Sequence, residues 1–203
     1  DSFWNNGIKR GKTTPEQKIE WASNLVAVNN LEEAVSTADV VIEAVPEILS
    51  LKQEIFEQLD RLSPTKAILG TNTSGLSIAD IAAVTSRPEK VIGMHFFNPV
   101  PLMPLLELIK HESTNDETIA SAEIIGSLMG KTTILVNNIP GFATSRLGVT
   151  LGNEAIRMLA EGVASAKDID LAMKLGYRHP MGPLELTDLV GLDVRQNILN
   201  YLA

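Results

Sequence analysis

The chain has 203 residues, of which 44% are hydrophobic and 21% charged, enough for one large domain or two small ones. It contains no cysteine, which excludes disulfides, iron–sulfur clusters and thiol catalysis, and its three histidines are scattered without metal-ligand spacing, so no metal site is expected. The formal net charge of −8 speaks against a nucleic-acid partner and requires any anionic ligand to be held by local donors or helix N-termini.

The chain opens on Asp1-Ser2-Phe3-Trp4-Asn5, which is neither an initiator Met nor the basic-then-apolar start of a signal peptide. It reads as part of something longer. Thr14-Pro15-Glu16-Gln17 joins an N-cap, a proline at the first helical position and a capping-box glutamine, and predicts a helix start. Apolar runs rich in β-branched residues at 25–28 and 40–45 predict strands. Between the second and the next strand, at 67–69, Ile48, Leu51, Ile55, Leu59 and Leu62 recur at spacings of three and four, placing all five on one helical face. Ser77-Ile78-Ala79-Asp80 starts a further helix, 91–97 and 105–109 are strands, Thr114-Asn115-Asp116-Glu117 starts another helix, and 133–136 is a last strand. Such alternation predicts an α/β protein with a mainly parallel, doubly wound sheet of Rossmann type.

After Asn138-Ile139-Pro140-Gly141 the pattern changes. Residues 142–161 carry Leu147, Leu151, Ala155, Met158 and Leu159 at helical spacing and end at Gly162. Ser165 to Asp168 caps another helix, Pro180-Met181-Gly182-Pro183 is a turn, and 184–190 and 192–202 are helical. The expected organisation is a Rossmann-type domain over 1–137 followed by an all-helical domain over 138–203. No apolar stretch approaches the ~18 residues of a membrane span, and a cytoplasmic location without membrane contact is the simplest expectation.

Two stretches imitate a phosphate-binding loop, Gly7 to Thr13 and Gly126 to Thr132, but each has three residues between its glycines where the loop needs four. The dinucleotide fingerprint G-x-G-x-x-G is also absent from the chain. Ligand contacts must then come from strand ends. Pro46-Glu47 lies where the strand at 40–45 hands over to a helix, so Glu47 and Lys52 either meet a ligand there or serve as a helix-dipole partner and a solvated surface charge. Thr71-Asn72-Thr73-Ser74-Gly75 follows the next strand and has the same two readings, donor cluster or turn. His95 lies within the apolar run Val91-Ile92-Gly93-Met94-His95-Phe96-Phe97, just ahead of the proline-rich Asn98-Pro99-Val100-Pro101. Glu107, flanked by apolar residues in the next strand, needs a partner if buried, and His95 is the nearest candidate. Glu43, also inside a strand, is the competitor. His111 and His179 stand beside polar or proline residues and are expected to be exposed.

Five motifs together resemble the 3-hydroxyacyl-CoA dehydrogenases, most closely their bacterial 3-hydroxybutyryl-CoA type: Val41-Ile42-Glu43-Ala44-Val45-Pro46-Glu47, Asn72-Thr73-Ser74, His95-Phe96-Phe97-Asn98-Pro99-Val100-Pro101, Pro140-Gly141-Phe142, and Pro180-Met181-Gly182-Pro183 with Asp188-Leu189-Val190-Gly191-Leu192-Asp193. The resemblance runs from about Gly7 to the last residue, and implies that the first βαβ unit of the Rossmann-type domain, with its glycine-rich turn, and a C-terminal tail lie outside the chain. It implies reversible, NAD-dependent oxidation of a short-chain (S)-3-hydroxyacyl-CoA to the 3-oxoacyl-CoA, as in fatty-acid metabolism. In it His95 is the catalytic acid/base and Glu107 its orienting carboxylate; Ala44, Glu47, Lys52, Asn72, Ser74 and Asn98 meet the nicotinamide and its ribose, and Ser74 also approaches the substrate. An imidazole titrates near neutrality and so suits proton transfer from a 3-hydroxyl. Where the family usually has an Asn reaching the substrate, this chain has Ser145, a shorter donor. Lys9 and Arg10 fall in the segment that clasps coenzyme A, and the helical domain implies a homodimer. Two other readings stay open: a dehydrogenase of a free hydroxy acid from the same superfamily, and a non-catalytic structural relative.

Overall fold

The computed structural model describes residues 2–202; Asp1 and Ala203, the outer ends of the two expected domains, lie outside the described residues. Two helices come first, α1 (Ser2–Lys9) and α2 (Pro15–Ser23). The capping box at α2 is complete: Thr14 Oγ1 accepts from the Gln17 amide at 3.1 Å, and Gln17 Oε1 accepts from the Thr14 amide at 2.9 Å. The strand expected at 25–28 does not form. Leu25 and Val26 are 67% and 83% exposed, because no strand among the described residues pairs with this segment, and an unpaired β run has neither ladder partners nor a face to bury. Helix α3 (Leu31–Val35) follows, capped by Asn30.

Five strands, β1 (Val40–Glu43), β2 (Ile68–Thr71), β3 (Val91–Phe96), β4 (Leu105–Lys110) and β5 (Thr132–Asn137), form one sheet in chain order. The pairs β1–β2, β2–β3 and β4–β5 are parallel, and their crossovers run through α4 (Leu49–Leu62), α5 (Ile78–Ala82) and α6 (Asp116–Leu128). By contrast β3 and β4 are antiparallel. The connection between them is too short for the crossover of a dozen or more residues that a parallel pair needs, so the chain reverses directly.

Side-chain alternation divides the core between the two faces. Ile92, Met94, Leu106 and Leu108 pack with Ala122 of α6, whereas Val91 and Ile109 pack with Phe56 and Leu59 of α4 and with Ile78 and Ile81 of α5. His95 and Glu107 share the parity of Val91 and Ile109 and therefore lie on the α4–α5 face. On α4 the buried stripe is Lys52, Phe56 and Leu59, with Ile55 and Leu62 beside it. Ile48 does not join this stripe and is 55% exposed, because it is the N-cap, in extended conformation, and precedes the first helical turn. The second phosphate-loop imitation is a packing device: a Cβ on Gly126 would come within 2.4 Å of Thr133 on β5, and Gly130, at φ +68°, ends the helix.

The helical part comprises α7 (Thr144–Ala160), α8 (Ala166–Gly176), α9 (Pro183–Val190) and α10 (Leu192–Leu202). Ser165 caps α8 through the Asp168 amide. Asp170 reaches across to cap α9, accepting from the amides of Leu184 at 2.8 Å and Glu185 at 3.1 Å. Among the described residues no helix is long and apolar enough to cross a membrane, and no group of three potential ligands could hold a metal ion. His111 is buried rather than exposed. Its Nε2 lies 3.0 Å from the Pro88 carbonyl oxygen and its Nδ1 accepts from the Ser113 amide, so both ring nitrogens are satisfied and burial costs little. His179 is half-buried.

Candidate active site

The antiparallel register sets His95 of β3 directly opposite Glu107 of β4. Directly opposed residues on one face are within side-chain reach, and His95 Nδ1 lies 3.0 Å from Glu107 Oε2. Glu107 is fully buried and His95 is 5% exposed. The ring sits beside Phe97, with centroids 4.5 Å apart, and meets Phe142 edge-on at 5.9 Å. With Nδ1 given to the carboxylate, Nε2 is the nitrogen left to serve a reacting group.

Glu107 has more partners than the sequence indicated. Its Oε2 also accepts from the Thr144 hydroxyl at 2.7 Å, and its Oε1 accepts from the amides of Ala143 at 2.9 Å and Thr144 at 3.2 Å. Those two amides open α7. Ala143, the N-cap, has no side-chain acceptor of its own, so a carboxylate from the sheet caps the helix. Gly141 at φ +74° and Phe142 at φ +50° turn the chain to aim these amides inward, and a positive φ on a non-glycine residue is a strain that surrounding contacts must hold. Burial pushes the Glu107 carboxyl up, but the hydrogen bonds from His95, from the Thr144 hydroxyl and from the two amides outweigh it and hold the group below the usual carboxylate range.

Glu43 is occupied elsewhere. Its carboxylate accepts from Lys52 Nζ at 2.8 Å, from the Thr71 hydroxyl at 2.7 Å and from the Val45 amide. Lys52 is thus a buried cation, 1% exposed, and not a solvated surface charge; its ammonium also donates to the Val45 carbonyl at 3.2 Å and stands 3.5 Å from Glu47.

The strand ends of β1 and β2 are tied together by polar side chains. Glu47 Oε1 accepts from the Thr73 hydroxyl and from the Ser74 amide at 2.9 Å, while its side chain stays 44% exposed. Asn72 donates its amide to the Glu43 carbonyl and accepts from the Phe96 amide, each at 2.8 Å, spanning three strands. Ala44 and Asn98 are exposed at the ends of β1 and β3. Ser145 Oγ donates to the Ser74 carbonyl at 3.1 Å, a link between α7 and the sheet.

A cavity of about 560 Å³ opens here, lined by Val45, Glu47, Ser74 and Leu76 from the strand ends and by Val194 and Ile198 from α10. It brings Glu47 and Ser74 together, while Lys52 and Asn72 stand behind them as supports. Thr144, Val194 and Ile198 were missed by sequence reasoning, and Phe142 entered it only as part of the Pro140-Gly141-Phe142 motif, without a role. For Thr144 there was one signal: a 17-residue helix that begins without Ser, Thr, Asp or Asn at its N-cap must be capped from another element.

Known proteins are similar to this chain in sequence and in fold. Residues 1–139 match the family model for the 3-hydroxyacyl-CoA dehydrogenase NAD binding domain, and residues 141–203 match that for the 3-hydroxyacyl-CoA dehydrogenase C-terminal domain. A probable 3-hydroxybutyryl-CoA dehydrogenase of Bacillus subtilis is 45% identical over 194 residues, covering 96% of this chain and 67% of its own. The 3-hydroxybutyryl-CoA dehydrogenase of Clostridioides difficile is 44% identical, covering 96% and 69%. The crystal structure of (S)-3-hydroxybutyryl-CoA dehydrogenase from Ralstonia eutropha superposes with a TM-score of 0.94 at 41% identity, covering 99% of this chain and 71% of that one. On sequence and on fold alike, the chain belongs to the 3-hydroxyacyl-CoA dehydrogenase family and spans about two thirds of the length of these relatives.

Proposed function

We propose that the protein is an NAD-dependent oxidoreductase that interconverts a short-chain (S)-3-hydroxyacyl-CoA and the corresponding 3-oxoacyl-CoA. The observation that carries this reading is the buried His95–Glu107 pair, whose ring neighbour Phe142 directly follows Gly141 in the wall of the cavity at the strand ends. Oxidising a secondary alcohol removes a proton from oxygen and a hydride from carbon 3. His95 Nε2 takes the proton, and Glu107, held anionic by four donors, stabilises the imidazolium that forms and fixes the ring so that the free nitrogen faces the substrate. In reduction the same nitrogen returns the proton. His95 is the catalytic residue, and Glu107 acts through it.

The residues present fit the nicotinamide-ribose end of NAD. Glu47 offers a half-exposed carboxylate to ribose hydroxyls, and Ala44, Ser74 and Asn98 stand at the same strand ends; Lys52 and Asn72 hold Glu47 and the strand ends in place. NAD held there would supply the acceptor for the hydride that leaves carbon 3. Phe97, Phe142 and the apolar wall of Val194 and Ile198 keep water from the reacting carbon. Ser145 serves the substrate from beside Ser74. Lys9 and Arg10, exposed at the end of α1, supply charge for the coenzyme A phosphates.

We further read residues 1–137 and 138–203 as the cofactor and substrate domains of a cytoplasmic homodimer. The helical domain exposes Leu147, Leu175 and Leu189, apolar surface that a second copy would cover. Light scattering on the full-length protein should give twice the chain mass; a monomer mass at assay concentrations would remove this part of the reading. The activity is tested by offering the full-length protein NAD with (S)-3-hydroxybutyryl-CoA and, separately, with free 3-hydroxybutyrate. Turnover of the thioester alone is expected. Preference for the free acid would assign the site to another hydroxy-acid dehydrogenase, and turnover of neither would leave a non-catalytic relative.

A further inference from the structure

The hydroxyl of Thr144 shares Glu107 Oε2 with His95 and is one of the four donors that hold this carboxylate anionic, the only side-chain donor among them besides His95 itself. We propose that Thr144 is a positioning residue that sets how strongly Glu107 acts on His95, an inference that rests on the proposed acid/base role of the pair. Two donors converge on one oxygen: His95 Nδ1 at 3.0 Å and Thr144 Oγ1 at 2.7 Å. The other oxygen is taken by the amides of Ala143 and Thr144, so the carboxylate cannot rotate without breaking a helix cap.

The arrangement has two consequences. Thr144 fixes the lone pair that Oε2 presents to the imidazole, and it draws off part of the negative charge that would otherwise stabilise the imidazolium. A carboxylate with one donor fewer is a stronger partner for a cation. Removing the hydroxyl therefore makes His95 hold its proton more tightly and return it less readily. Glu107 is the ionisable side chain within hydrogen-bond distance of His95 among the described residues; the other rings against it, Phe97 and Phe142, carry no charge. The amide of residue 144 survives substitution, so the backbone part of the cap is kept while the hydroxyl alone is removed.

The experiment uses the full-length protein with T144V, which keeps the shape, and T144S, which keeps the hydroxyl. In the pH profile of kcat/KM for (S)-3-hydroxybutyryl-CoA oxidation, T144V should move the acidic limb upward by about half to one pH unit, and in acetoacetyl-CoA reduction, where His95 must give its proton back, it should lower kcat about 3- to 10-fold, while T144S stays near wild type in both. An unmoved limb in T144V, or equal shifts in T144V and T144S, would overturn the proposal, since a packing role depends on the side chain's bulk and not on its hydroxyl. Titration of the His95 ring by NMR needs no turnover and reads the same shift. If wild type has no activity yet the ring titration still moves in T144V alone, the contact stands and the dehydrogenase reading falls. Should T144V not fold, T144A removes the same hydroxyl without a β-branch and is read identically.

Discussion

Glu107 binds the imidazole and caps the helix that brings in the second domain, and both roles depend on its being charged. Because its folded-state pKa is depressed below the ordinary value of about 4.3, its contribution to stability is fully present above that value and is lost as pH falls through the lower, folded value. Glu107→Gln keeps the shape but cannot ionise. Denaturant unfolding should therefore show wild type more stable than E107Q at pH 6, by an increment that shrinks steadily as pH falls below about 4.3. An increment independent of pH would mean that the charge of Glu107 does not contribute to folding. The pair itself was legible in the sequence, because a carboxylate between Leu106 and Leu108 must be matched once it is buried. The other donors to Glu107 were legible only as a gap, since the uncapped start of α7 signals that some other element must cap it, and only folding brings the amides of Ala143 and Thr144 and the Thr144 hydroxyl to β4.

At the scale of elements, local signals were the most readable. Thr14, Ser77, Asn115 and Ser165 each cap the helix that follows through the amide three residues on, because the chemistry of an N-cap is confined to one turn of chain. Helices α4, α7 and α9 have no side-chain N-cap of their own, and two of them borrow one. Both α7 and α9 are capped by carboxylates from other elements, Glu107 and Asp170, and such caps are tertiary contacts that a local pattern cannot reveal. Strand identification failed once, at residues 25–28, where composition favours a strand but no neighbouring strand is present to complete it. Periodicity on α4 missed Lys52, which a hydrophobic pattern counts as polar although it occupies the most buried stripe of the helix; its charge is matched inside by Glu43, so burial follows from pairing and not from residue type.

For the whole molecule, strand–helix alternation gave the doubly wound architecture, and the break near Asn138 marked where the helical part begins. Direction along the sheet was harder to read. The reversal between β3 and β4 follows from the length of one loop, and it is this reversal that puts His95 and Glu107 side by side instead of on separate parallel strands. The fold thus makes the pair, and a cavity brings the strand ends, Gly141 and α10 together. The most direct measurement of this account is reduction of acetoacetyl-CoA by NADH in the full-length protein, comparing wild type with H95Q. The account predicts that H95Q lowers turnover by about 10² to 10⁴ while NADH affinity is nearly unchanged; turnover close to wild type, at equal NADH affinity, would contradict it and remove His95 from the chemistry.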